Sequence, residues 1–293
     1  MATLELRPLS LGELLDRTFF LYRRHFFLFA GISAIPYSLF FIANLTAVLI
    51  PAIARQMNSG QIQSSGLVAA TAGSGLIRIL ALLVGSIAFL YTVGATVHAV
   101  SEIYAGRAPS IRESLGSVRG KSGMIFGVMF LSGLLMIAGL IAFVIPMFYI
   151  MCRLTVAIPS AILEDLGPAD SIRRSFALTR NFAGRAFMIY LLYFAMVFGI
   201  IAVFQFPFAM LLVMNAKQPQ LVIMWTIFMQ LGNFIGSSLV APVSTISFAL
   251  FYYDLRVRKE AFDLQRMMQA IGADPAAPPV TGGVPSMFGR DAS

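Results

Sequence analysis

The stretch MIFGVMFLSGLLMIAGLIAFVIPMFYIMCRLTVAIPSAIL, residues 124–163, runs for 40 residues with one charge in it, Arg153. As a single helix rising 1.5 Å per residue it would be about 60 Å long, twice the roughly 30 Å hydrocarbon core of a bilayer. It must fold back once. Pro146, which lacks an amide hydrogen and breaks the helical ladder, is the natural turning point.

Cut there, the run supplies two of six apolar stretches, at residues 28–50, 79–101, 124–145, 147–163, 186–213 and 221–251. Each except the fourth is near or above the roughly 20 residues that cross a membrane as a helix. The cations argue for the same cut. Arg7, Arg17, Arg23 and Arg24 precede the first stretch, and Arg107, Arg112, Arg119 and Lys121 lie between the second and third. Arg173, Arg174, Arg180 and Arg185 lie between the fourth and fifth, while Arg256, Arg258, Lys259, Arg266 and Arg290 follow the sixth. These 17 of the 21 Lys and Arg residues occupy alternate gaps, which puts both termini and two loops in the cytoplasm. A five-span chain, with Pro146 only kinking one helix, would break that alternation.

Composition agrees. At 58% hydrophobic and 12% charged residues, with a mean hydropathy of +0.83, the chain lies outside the range of soluble domains. The net charge of +8 sits in segments flanking the spans, so the partner it implies is a bilayer with anionic headgroups and not nucleic acid. The 25 apolar residues at 26–50 exceed a signal-peptide core of roughly 7 to 15, so Ala52, Ile53 and Ala54 do not mark a cleavage site, and neither end carries a lipidation signal. The lone Cys152 excludes an intramolecular disulfide and reads as a small buried apolar residue.

Three basic segments look alike. Ser10 to Glu13 and Ser110 to Glu113 both fit the S-x-x-E capping box, and Asp170 with Ser171 can cap a third copy. Leu11, Leu15 and Thr18, then Ile111, Leu115 and Val118, then Ile172, Phe176 and Thr179 fall on one face of each helix, with arginines opposite. The pattern predicts interfacial helices at about 10–25, 110–120 and 170–182, with Arg112, Arg119, Arg173, Arg174 and Arg180 as headgroup anchors. Each is followed by two spans, so the chain reads as three parallel copies of a surface helix plus a hairpin, or as ordinary amphipathic loops without repetition. The expected architecture is an all-α integral membrane bundle over residues 1–270. Residues 55–75 form a flexible outer loop in this reading, and 271–293 a disordered cytoplasmic tail. The last helix runs on past the sixth span, with i,i+4 pairs Asp254 with Arg258, Arg256 with Glu260 and Lys259 with Asp263.

Few residues offer chemistry. Arg153 lies seven residues past Pro146, at a depth where an arginine needs a partner. It either snorkels to phosphate or to carbonyls freed near the turn, or lines an outward pocket for an anion or phospholipid headgroup with Gln205 and Asn233, to which Asn44 can add. His98 and Glu102, four apart, suit a hydrogen bond to each other, since a metal would need a third ligand; no metal or cofactor is expected. His25 reads as an interface residue. Gly232 to Gly236 is a GxxxG, and Pro36, Pro159, Pro207 and Pro242 interrupt spans, as kinks or as a binding site. No nucleophile elbow, P-loop or H-E-x-x-H occurs, and the spans contain no paired carboxylates, which argues against an enzyme.

Three segments carry a resemblance: Leu6 to Asp16 (LRPLSLGELLD), Ile162 to Arg180 (ILEDLGP with SIRRS and LTR) and Tyr252 to Glu260 (YYDLRVRKE). Together they resemble the bacterial family named for the membrane domain of glycerophosphoryl diester phosphodiesterase. The resemblance implies a six-span inner-membrane domain whose own biochemical role is poorly defined, without the catalytic barrel that gives the family its name. Two functions remain open: a non-enzymatic scaffold or accessory factor for membrane-protein partners or lipids, and a transporter or lipid-handling channel for an anionic solute using Arg153.

Overall fold

The fold-back in residues 124–163 occurs at Phe143, three residues before Pro146. In this computed structural model, which describes residues 9–57 and 64–270, helix α5 (Ser122–Ala142) closes with the Phe143 amide donating to the Gly139 carbonyl at 2.9 Å. Helix α6 (Val144–Arg153) then runs back from an extended Phe143. Pro146 falls in the first turn of α6, where a missing amide hydrogen costs nothing, so it starts the returning helix and leaves the turn to Phe143. The turn is tight enough to require Gly139: a Cβ there would lie 3.0 Å from Met147 Cα and 2.9 Å from the end of Ile150.

Among the described residues, six helices or helix pairs are long and apolar enough to cross a membrane: Phe26–Ile50, Gly75–Tyr104, Ser122–Ala142, Val144–Glu164, Ala183–Met214 and Pro219–Glu260. They belong to α2 (Phe26–Met57), α3 (Ser64–Tyr104), α5, the pair α6 and α7 (Ala157–Glu164), the pair α9 (Ala183–Ile200) and α10 (Phe206–Met214), and α11 (Pro219–Ala270). Three short amphipathic helices precede successive hairpins: α1 (Leu11–Arg24), α4 (Ile111–Arg119) and α8 (Pro168–Leu178). No strand occurs among the described residues. The molecule is a multi-pass helical membrane protein.

The start of α1 and the Asp254 turn of α11 lie at one end of the bundle, because the Leu9 amide donates to the Asp254 carboxylate at 2.7 Å. That is the basic end. The buried core gathers there, around Leu14, Phe29, Val97, Ile246, Phe251 and Leu255. Toward the other end, large side chains such as Leu39, Leu82, Ile141 and Phe198 are exposed. Lipid tails are as apolar as these residues, so their exposure is no fault.

The three short helices repeat a register. Thr18, Val118 and Thr179, equivalent positions, are all buried, and so are Leu14, Ser114 and Ser175, one turn earlier. The predicted face does touch the bundle: Ile172 is buried too, and Leu11, Leu15, Ile111, Leu115 and Phe176, partly buried, pack against the core, while Leu14, Ser114 and Ser175 widen that face beyond the one predicted. Ser10 makes both bonds of its capping box, while Ser110 receives the Glu113 amide alone. Helix α8 starts earlier than expected, capped by Gly167 with Pro168 in its first turn; Ser171 instead donates to the carbonyls of Leu166 and Gly167. Residues 55–57 and 64–75, expected as loop, continue α2 and α3. The predicted tail at 271–293 lies outside the described residues, as does the side chain of Asp263, the expected partner of Lys259.

Candidate functional site

The three segments that carry the family resemblance meet at the basic end. Asp254, with its side chain fully buried, accepts from the Leu9 amide, from Arg185 at 2.9 Å and from Arg258 at 3.0 Å. Both arginines also donate to the Leu9 carbonyl, so one peptide unit and one carboxylate are held by two guanidinium forks. A second cluster adjoins it. Glu164 at the end of α7 accepts from the buried Tyr252 hydroxyl at 2.6 Å and from Arg174 at 3.0 Å, and Arg174 reaches on to Glu260 at 2.6 Å. Arg256 binds Glu260 from the same helix at 2.8 Å. Burial of the Arg174 guanidinium opposes its charge, and the hydrogen bonds it donates to Glu164 and Glu260 outweigh that, leaving its pKa raised.

Arg153 joins this end too. The ladder of the fourth span is interrupted at residues 154–156, which frees the Arg153 carbonyl; Ser175 donates to it at 2.7 Å and Thr179 at 3.3 Å. In return Arg153 Nη2 donates to the Phe176 carbonyl in the last turn of α8 at 2.6 Å, and its guanidinium lies over the rings of Phe176 and Tyr149. Lys259 takes the neighbouring Ala177 carbonyl. Two cations thus cap the C-terminus of α8, where the helix dipole favours positive charge.

Gln205 and Asn233, the other proposed pocket residues, are elsewhere. Gln205 closes a π-helical turn (Ile201–Gln205) between α9 and α10 and donates weakly to Asn233 at 3.4 Å. Asn233 and Asn44 line one cavity, with Gln230 and Tyr37, of about 10 Å³, room for one water at most. The outward pocket expected of Arg153, Gln205 and Asn233 is not assembled, because Arg153 is spent on α8. Of the predicted anchors, Arg112, Arg119, Arg173 and Arg180 are exposed, whereas Arg174 is bound between two carboxylates.

Other expectations resolve locally. Glu102 pairs with Arg107, not with His98, whose buried Nδ1 has no partner. The GxxxG is used within the chain: a Cβ on Gly232 would lie 2.7 Å from Phe204 Cβ, and Gly236 abuts Ile200. Pro159 stands in the first turn of α7, directly after the interruption at residues 154–156, and Pro207 in the first turn of α10, directly after the π-helical turn. Cys152 is buried. Among the described residues no group of three His, Cys, Asp or Glu side chains gathers as a metal site.

No family model, curated protein or solved structure matches this chain.

Sequence reasoning missed Arg185 and Glu164 as structural partners and counted Arg185 only as a topology signal. The usable sign was Asp254 itself, a carboxylate flanked by Tyr252, Tyr253 and Leu255, where an unpaired charge would be costly.

Proposed function

We propose that the chain is a non-enzymatic scaffold or accessory factor of the bacterial inner membrane, with both termini cytoplasmic, which organises membrane-protein partners or lipids. The observation that carries this reading is how the polar groups are used. Asp254 with Arg185 and Arg258, and Glu164 with Arg174, pair with each other, and the first group also holds Leu9, which ties α1, α7, α8, α9 and α11 together as a platform at the basic end. The exposure of Arg112, Arg119, Arg173 and Arg180 supports their contact with anionic headgroups. The meeting of Leu9, Glu164, Arg174 and Asp254 in adjoining clusters supports membership of the membrane-domain family, since the resembling segments then form one structural unit. In-membrane crosslinking tests the reading: specific protein or lipid partners lost in an Arg112, Arg119 and Arg180 triple glutamine variant are expected, and recovery of none above background refutes it.

A second reading, transport of an anionic solute, is favoured by one observation, the broken span beside Arg153 with its buried, unpartnered Nε. Flux of anionic solutes or lipids into vesicles that disappears in Arg153→Ala would establish it; unchanged flux removes it.

A further inference from the structure

Between α3, α4, α5 and α7, near the basic end, lies a cavity of about 60 Å³, several times the roughly 10–15 Å³ that one water needs. Its polar lining is His98 and Ser101 from α3, Ser117 from α4 and Lys121 at the head of α5, and no carboxylate is among the lining residues. Two features converge on negative charge. Lys121 Nζ donates to the Ile162 carbonyl at 3.0 Å and to Asp165, which leaves the third ammonium proton free. His98 Nδ1 is buried with no partner, a cost that an acceptor in the cavity would remove.

The Ser101 and Ser117 hydroxyls now donate to the carbonyls of His98 and Ser114 at 2.7 and 2.8 Å. A rotating hydroxyl can exchange such a bond for a charged acceptor, which binds more strongly. The remaining charges nearby are balanced: Asp165, mostly exposed, draws Lys121 from the solvent side, and Glu102 is held by Arg107.

We propose that this cavity binds a phosphate group, with Lys121, His98 and the Ser101 and Ser117 hydroxyls as its donors. It sits beside the amphipathic helices, so a phospholipid headgroup and free phosphate present the same chemistry to it. The site does not depend on the scaffold reading, and its test uses no partner protein.

The full chain in detergent or nanodiscs is titrated with inorganic phosphate against chloride at equal ionic strength, and in parallel reconstituted with phosphatidic acid. The expected result is a saturable rise in melting temperature absent with chloride, weakened about tenfold or more by His98→Gln and by Lys121→Gln. Saturation by free phosphate assigns a soluble ligand; a shift only with phosphatidic acid assigns a lipid headgroup. Ser117→Val carries the same comparison if loss of the Lys121 bond to Ile162 prevents folding. Equal responses of wild type and all variants to both probes overturn the proposal.

Discussion

Asp254 is the residue on which most of the basic end converges, and its energetics are those of a buried, paired charge. Removing it leaves Arg185 and Arg258 facing the Leu9 carbonyl without their carboxylate, and the Leu9 amide without an acceptor. Breaking such a pair from one side costs about 3–5 kcal/mol. Asp254→Ala is therefore expected to lower the unfolding free energy measured in detergent by that much, more than any change at the exposed Arg112. Arg153→Ala leaves the Phe176 carbonyl unpaired at about 1–3 kcal/mol, measured the same way. His25 offers a pH test. Partial burial and the Arg24 charge hold its pKa below the usual 6.5, so the folded state takes up a proton less readily than the unfolded chain. The stability associated with neutral His25 is present above about pH 6.5 and falls as pH drops toward the folded pKa. A ring titration midpoint at or above 6.5 by NMR would contradict this.

At the level of elements, the sixth span is joined to the fifth by two glycines. Helix α11 approaches α9 and the π turn so closely that the Cβ sites of Gly232 and Gly236 are filled by Phe204 and Ile200. Ile200 is β-branched and stiff, so it cannot swing away easily. Gly236→Ala is expected to cost about 1–3 kcal/mol through overpacking, and markedly less in an Ile200→Ala background. Equal costs in both backgrounds would show that the contact is not tight. At the other end of the chain, Ser10→Ala removes the side-chain half of a complete capping box and should destabilise by about 1 kcal/mol.

For the molecule as a whole, the hydrogen bond between Leu9 and Asp254 requires an even number of crossings. Reporter fusions at the N-terminus and after Ala270 should therefore report one face of the membrane, expected to be the cytoplasmic one; opposite faces would overturn the bundle. The spans and three amphipathic helices were legible in the sequence because hydropathy, period and cation spacing are properties of short windows. Even the fold-back in residues 124–163 followed from length, though its position at Phe143 followed from how closely Gly139 meets Met147. Tertiary structure alone decided what the charges do. Leu9 and Asp254 are 245 positions apart, and Arg174 and Glu260 are 86 apart. No local pattern distinguishes an arginine that meets lipid from one that holds two helices, since the difference lies in which carboxylate the folded chain brings within reach.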